Sequence, residues 1–177
     1  LLWVIWRAAE FRVAMLQAAW AVLGMAYVGG LLSFASTLRG LPEGEQLIYF
    51  LVVTSWASDI AAYYIGSRFG RHPLAPGTSP RKTVEGALAG MIASLVVAMI
   101  GSPWIWPRLF WSVAGVIGLL LAVVGILGDL CESAMKRGAG VKDSGTLIPG
   151  HGGILDRLDS LMFACPVLYA LVRLGWV

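Results

Sequence analysis

Long apolar runs alternate along the chain with connections that are either short or polar and rich in glycine. The apolar runs occupy about residues 13–38, 47–66, 86–106, 109–128 and 155–172. Each is close to the ~20 residues that carry a helix across a hydrocarbon core. Backbone groups in lipid need internal hydrogen-bond partners, so runs this apolar are expected as helices. Strict two-residue alternation is absent, which argues against a β-barrel. Pro103 is expected to end the regular part of the third run, and Pro166 and Arg173 interrupt the fifth. The pattern predicts an all-α, polytopic transmembrane helical bundle with about five spans in this chain. Residues 1–6 are apolar, begin with Leu1 and stop abruptly at Arg7. They read as the tail of an earlier hydrophobic segment. Residues 1–177 are therefore expected as a single membrane domain, the C-terminal part of a longer protein.

Composition agrees with this picture. Of 177 residues, 58% are hydrophobic and 13% charged, against about 25% charged in a soluble domain. That excludes a disordered chain and disfavours a water-soluble one. Cys131 and Cys165 are too few for a disulfide framework and lack metal-site spacing. The net charge of +3 matters less than its placement. Connections 39–46 and 102–108 are short, whereas 67–85 and 129–159 are long and polar, and alternating spans put both long ones on one side. That side carries ten cations (Arg7, Arg12, Arg68, Arg71, Arg81, Lys82, Lys136, Arg137, Lys142 and Arg157), and the other carries three (Arg39, Arg108 and Arg173). A positive-inside excess of this size places the long loops in the cytoplasm and the C-terminus on the opposite face. Trp104, Trp106 and Trp111 lie near span ends and read as interfacial anchors. Gly86 and Gly90, and likewise Gly118, Gly125 and Gly128, allow close helix approach. Intramolecular packing is the simpler expectation for them, and a homodimer is the other. No nucleic-acid partner is expected.

The acids are unevenly distributed. Seven of ten (Asp59, Glu85, Asp129, Glu132, Asp143, Asp156 and Asp159) lie in the second run or in and beside the two long loops. Asp59 interrupts an apolar span, where an ionised carboxylate is expensive and usually functional. Ser55, Asp59, Tyr63 and Gly66 fall on one helical face. Asp129 and Glu132 share a face if the fourth helix continues past residue 128. Lys136, Arg137 and Lys142 offer cations for phosphate oxygens. The glycine-rich turn around His151 precedes a helix whose first turns carry Asp156 and Asp159. Exposed N–H groups in such a turn suit an anion, and two carboxylates there suit a hard cation such as Mg²⁺. Zinc is disfavoured, because His72 and His151 are the only histidines and neither belongs to a zinc motif. In the other loop, Ser79 is expected to cap the third helix, with Pro80 at its first position. Lys82 and Thr83 would then join free helix N–H groups in a second anion cradle. Neither loop is a Walker A site. The residues alone thus point to a site at the cytoplasmic interface that neutralises several phosphates with a divalent metal.

At this point the sequence resembles the phosphatidate cytidylyltransferases, or CDP-diacylglycerol synthases. The resemblance rests on the signature from Ser133 to Asp159, with Ser133, Lys136, Arg137, Lys142, Asp143, His151, Gly152, Gly153, Asp156, Arg157 and Asp159 in their places. It extends to Asp129 and Glu132 upstream, to Asp59, Ala62, Tyr63 and Gly66, and to the run from Ser79 to Gly86, so the catalytic core is expected over about residues 58–160. Arg81 stands where the family commonly has lysine. The resemblance implies the reaction of CTP with phosphatidate to give CDP-diacylglycerol and pyrophosphate, in a bilayer, with Mg²⁺ and room for a second cation. It implies Asp129 and Asp156 as metal ligands, with Asp159 in support. Lys136, Arg137, Lys142, His151 and Arg157 complete the catalytic set, and Asp59, Tyr63, Ser79, Lys82, Thr83, Glu132 and Ser133 are the substrate-binding candidates. The implied location is the bacterial inner membrane, with the site facing the cytoplasm. Other CTP-dependent membrane lipid enzymes, a polyprenol kinase or an archaeal CDP-lipid synthase, share this chemistry. A transporter is the remaining alternative, disfavoured because no internal repeat is visible.

Overall fold

The computed structural model describes residues 6, 11–141, 144 and 155–176; the side chains of Asp156 and Arg157 lie outside that description. Helix α1 (Phe11–Met25) passes through a π-helical turn (Ala26–Gly30) into α2 (Leu31–Arg39). Then come α3 (Gly44–Phe69), a hairpin of β1 (Pro73–Ala75) and β2 (Ser79–Thr83), α4 (Val84–Ile105), α5 (Trp111–Gly138) and α6 (Leu155–Arg173). The two strands pair antiparallel. The protein is an all-α membrane bundle, and Phe11–Arg39, Gly44–Phe69, Val84–Ile105 and Trp111–Gly138 are long and apolar enough to cross a bilayer. The fifth run also forms a helix, α6, but Asp156, Arg157 and Asp159 crowd its start and make it the most charged of the five.

Sequence neighbours pack side by side, α3 on α4, α4 on α5 and α5 on α6, and α2 closes the bundle against α6. Leu47, Phe50 and Leu51 of α3, Ile117 and Leu121 of α5 and Leu168 of α6 share the core. The glycines make these contacts close. A Cβ on Gly90 would stand 2.9 Å from the Ser58 carbonyl oxygen, and one on Gly118 would stand 2.8 Å from that of Ser94. Across the same α4–α5 seam, Ser94 Oγ donates to the Gly118 carbonyl at 2.8 Å. The small-residue stripes are therefore used within the chain, where short side chains let backbones approach.

Three local expectations need correcting. Pro103 does not end α4, which continues to Ile105. Proline leaves the carbonyl four residues earlier without its usual N–H. Here that carbonyl is Met99, and Ser102 Oγ donates to it at 3.3 Å. Helix α5 does not stop near Gly128 but runs ten residues further, so Asp129, Glu132, Ser133, Lys136 and Arg137 are helical and not part of a loop. Finally, Trp106 is not an interfacial anchor. It is 5% exposed, packs on Phe50 with ring centroids 6.0 Å apart, and donates its indole N–H to Glu43 at 2.5 Å.

That last contact belongs to a clasp at the end of the bundle formed by the two short connections. Glu43 has φ of +61°, an uncommon conformation for a residue with a side chain. It receives Trp106 and pairs with Arg108. The hairpin and the C-terminal end of α5 meet at the opposite end, where Arg137 Nε donates to the Thr78 carbonyl at 3.4 Å. The two polar connections thus leave the bundle at one end, as alternating spans require.

Candidate active site

The polar end begins with the hairpin. Residues 79–83 form a strand, so Ser79 does not cap α4 and Lys82 does not lie in a first helical turn. The cap is Thr83, whose Oγ1 accepts the Gly86 N–H at 3.2 Å. The Val84 N–H donates to the His72 carbonyl at 2.9 Å. The expected cradle of free helix N–H groups is therefore already partly spent on protein partners. Glu85 closes the hairpin base: its carboxylate accepts the Arg71 and His72 N–H groups at 3.1 and 3.3 Å and meets His72 Nδ1 at 2.6 Å. Gly66 and Gly70 make room for Thr83, since a Cβ on Gly66 would stand 3.0 Å from Thr83 Oγ1.

This arrangement carries Lys82 across to α5, where its ammonium pairs with Asp129. One turn further along α5, Glu132 is 1% exposed and pairs with Lys136 at 3.0 Å. Helix α6 supplies Asp159. Carboxylate oxygens of Asp129, Glu132 and Asp159 all lie within 4.8 Å of one another. Such proximity requires α5 and α6 to touch, and Gly128 permits it: a Cβ there would meet the Asp159 carbonyl oxygen at 2.9 Å. Ser160 links a fourth acid to the group. Its Oγ lies 3.4 Å from both carboxylate oxygens of Asp59 and 3.3 Å from Asp159 Oδ1. Asp59, the acid that interrupts the second apolar run, thus faces this cluster across the α3–α6 contact.

Among the described residues, four carboxylates meet two ammonium groups, those of Lys82 and Lys136. The balance is negative in a half-buried place, and like charges this close repel. Clustered carboxylate oxygens are the donor set of a hard divalent cation, which binds through carboxylates while keeping positions for phosphate. The residues present fit such an ion.

Beside the cluster lies a cleft of about 870 Å³. It is lined by the polar Asp59, Asp129, Asp159, Ser160, Arg81, Lys82 and Thr83 and by the apolar Trp56, Ile60, Leu74, Ala87 and Ile126. Trp56, Ile60 and Tyr63 are all more than half exposed on the outer face of α3.

Among the sequence candidates, Asp59, Tyr63, Lys82, Thr83, Asp129 and Asp159 therefore share the cleft. Ser55 does not join its helical neighbours there and is buried instead. Ser79 and Ser133 are half-buried away from the cleft lining. Arg137 turns toward the hairpin, and Lys136 toward Glu132. Lys142 and His151 lie outside the described residues, as do the side chains of Asp156 and Arg157. Of the expected metal pair only Asp129 is therefore placed, and the described carboxylates gathered around it are Glu132 and Asp159. Sequence reasoning missed Ser160 and left Arg81 without a role. Ser160 is an ordinary serine beside Asp159 on α6, and only its contacts mark it.

Comparison with known proteins bears on the family. The model of a family described as the cytidylyltransferase family matches residues 1–175. A phosphatidate cytidylyltransferase from Synechocystis is 50% identical over 138 residues, covering 77% of this chain and 46% of that protein. Proteins of the same name from Staphylococcus saprophyticus and Staphylococcus aureus strain COL are 41% and 42% identical over 161 and 163 residues, covering 91% of this chain and 61% of each relative. The chain thus spans about half to three-fifths of the length of the relatives it matches. The match runs through all six helices, the hairpin and the carboxylate cluster, and by it this chain belongs to the cytidylyltransferase family.

Proposed function

We propose that this chain carries the catalytic part of a phosphatidate cytidylyltransferase, which converts CTP and phosphatidate to CDP-diacylglycerol and pyrophosphate. The observation that carries the reading is the carboxylate cluster of Asp129, Glu132 and Asp159, neutralised in part by Lys82, beside a cleft whose lining mixes charged and apolar side chains. One substrate is a soluble polyphosphate and the other a lipid phosphate, and a site joining them needs both surfaces.

In the reaction a phosphate oxygen of phosphatidate attacks the α-phosphorus of CTP. The new P–O bond forms as the bond from the α-phosphorus to the bridging β-phosphate oxygen breaks, and pyrophosphate leaves with that electron pair. A phosphate monoester is already anionic near neutral pH, so no general base is required. Asp129, Asp159 and Glu132 would hold Mg²⁺, which when bound supplies positive charge to phosphate oxygens as charge shifts to the leaving group. Lys82 and Arg81 line the same cleft and offer further cations to counter phosphate charge and orient it. Ser160 holds the Asp59 and Asp159 carboxylates in register. Trp56, Ile60 and Tyr63 offer the acyl chains an apolar path on the outer face of α3. The excess of cations at this end supports a cytoplasmic position for it, and the bacterial relatives are consistent with the inner membrane.

The test is full-length protein reconstituted in phosphatidate vesicles with CTP and Mg²⁺, with lipid products analysed by mass spectrometry and pyrophosphate measured in solution. CDP-diacylglycerol and pyrophosphate are expected in equal amounts. Release of CDP with a phosphorylated lipid would instead make the protein a CTP-dependent kinase. No CTP-dependent product from folded protein would overturn the proposal.

A further inference from the structure

The π-helical turn Ala26–Gly30 interrupts an otherwise continuous α-helical span, and π-turns inside helices frequently mark functional positions. The turn carries Tyr27. Its ring packs against Phe163 of α6 at a centroid distance of 5.8 Å, one helical turn beyond Asp159. Its hydroxyl is buried and has no hydrogen-bond partner among the described residues. A buried O–H without a partner is costly and calls for an explanation. Phe163 in turn packs over Gly128, where an added Cβ would stand 3.0 Å from the Phe163 Cβ and 2.9 Å from the Asp159 carbonyl oxygen, so Tyr27 packs against the α5–α6 seam that carries Asp129, Glu132 and Asp159. Asp129 and Asp159 also line the cleft, but Tyr27 does not.

We infer that Tyr27 is a positioning residue of this cluster, its hydroxyl donating a hydrogen bond to an oxygen carried by the divalent cation that Asp129, Glu132 and Asp159 would hold. The inference rests on the cation reading above. That oxygen belongs to water or to a nucleotide phosphate, and either gives the phenol the acceptor that the described residues do not. Further along the same span, Phe34 packs on Tyr169 of α6, with ring centroids 5.5 Å apart. Tyr169 lies on the same pair of helices, away from the acids, and supplies a matched control.

The experiment measures Mn²⁺ affinity by electron paramagnetic resonance on full-length protein, without and with CTP, for wild type, Tyr27→Phe and Tyr169→Phe. Removing an outer partner of a metal site typically weakens metal binding about 10–100-fold. Tyr27→Phe should weaken Mn²⁺ binding by about 10-fold or more and leave thermal stability near that of wild type, while Tyr169→Phe binds as wild type does. A loss with Mn²⁺ alone identifies the oxygen as water, and a loss only with CTP present identifies it as phosphate. Unchanged affinity of Tyr27→Phe in both conditions overturns the inference, as does an equal loss in Tyr169→Phe. A wild-type protein that binds no Mn²⁺ overturns the cation reading itself and this inference with it.

Discussion

Replacing Lys82 with alanine should destabilise the protein most where divalent cations are absent. Lys82 and Asp129 come from β2 and α5, and their side chains are 24% and 30% exposed. Removing the ammonium leaves Asp129 facing Glu132 and Asp159 without that counter-charge. Oxygens up to 4.8 Å apart repel by about 3.5 kcal/mol per pair at an effective dielectric of about 20. Water at this partly open site reduces the effect, so about 2–3 kcal/mol is expected for Lys82→Ala in EDTA. That corresponds to a fall in melting temperature of about 4–12 °C, at about 2–4 °C per kcal/mol for a chain of 150–250 residues. Mg²⁺ should narrow the gap, because the cation takes over the ammonium's role and binding to the folded state adds stability. The assay is a double-mutant cycle of Lys82→Ala and Asp129→Ala in full-length protein, melted with EDTA and with Mg²⁺. A coupling energy above about 1.5 kcal/mol in EDTA is expected, since residues in contact couple by about 0.5–3 kcal/mol. A coupling below about 0.5 kcal/mol, or a gap that Mg²⁺ leaves unchanged, would refute the reasoning.

Three other expectations follow from the packing and the topology. Gly90→Ala, which sets a Cβ 2.9 Å from the Ser58 carbonyl oxygen, should be less stable than Gly101→Ala in the same helix, where the contact is the flexible end of Ile105 at 3.3 Å; overpacking costs about 1–3 kcal/mol, read as the difference in melting temperature. Glu43→Ala, at the end remote from the cleft, should lose the bonds to Trp106 and Arg108 and cost about 1–3 kcal/mol of stability, yet leave turnover per folded molecule near wild type in the reconstituted assay. Gly77→Cys, in open space at the hairpin turn, should in a cysteine-free background resist an impermeant thiol reagent in intact cells and react in inverted vesicles, and the opposite pattern would reverse the orientation.

Much of the architecture was legible without coordinates. An apolar run of about 20 residues has few ways to satisfy its backbone in lipid, so the spans, their helical form and the shared side of the two polar connections follow from hydropathy and loop length. The acids at 59, 129 and 159 also stood out, because a carboxylate in or beside such runs is conspicuous. What the local pattern misjudged were positions where a distant partner decides. Ser79-Pro80 reads as a helix start, but Glu85 gripping the Arg71 and His72 amides and Thr83 fitting against Gly66 delay the helix to Val84. Asp129 and Glu132 read as the beginning of a loop, but pairing with Lys82 and Lys136 keeps them in α5. Trp106 reads as an interfacial anchor until Glu43, 63 residues away, accepts its N–H. Hydropathy reports the free energy of a segment against its solvent, and for a membrane chain that term is large enough to set the elements. Which carboxylates meet, and which serine or tyrosine faces them, depends on how closely helices approach and in what register, and those quantities exist only once α3, α5 and α6 are packed together.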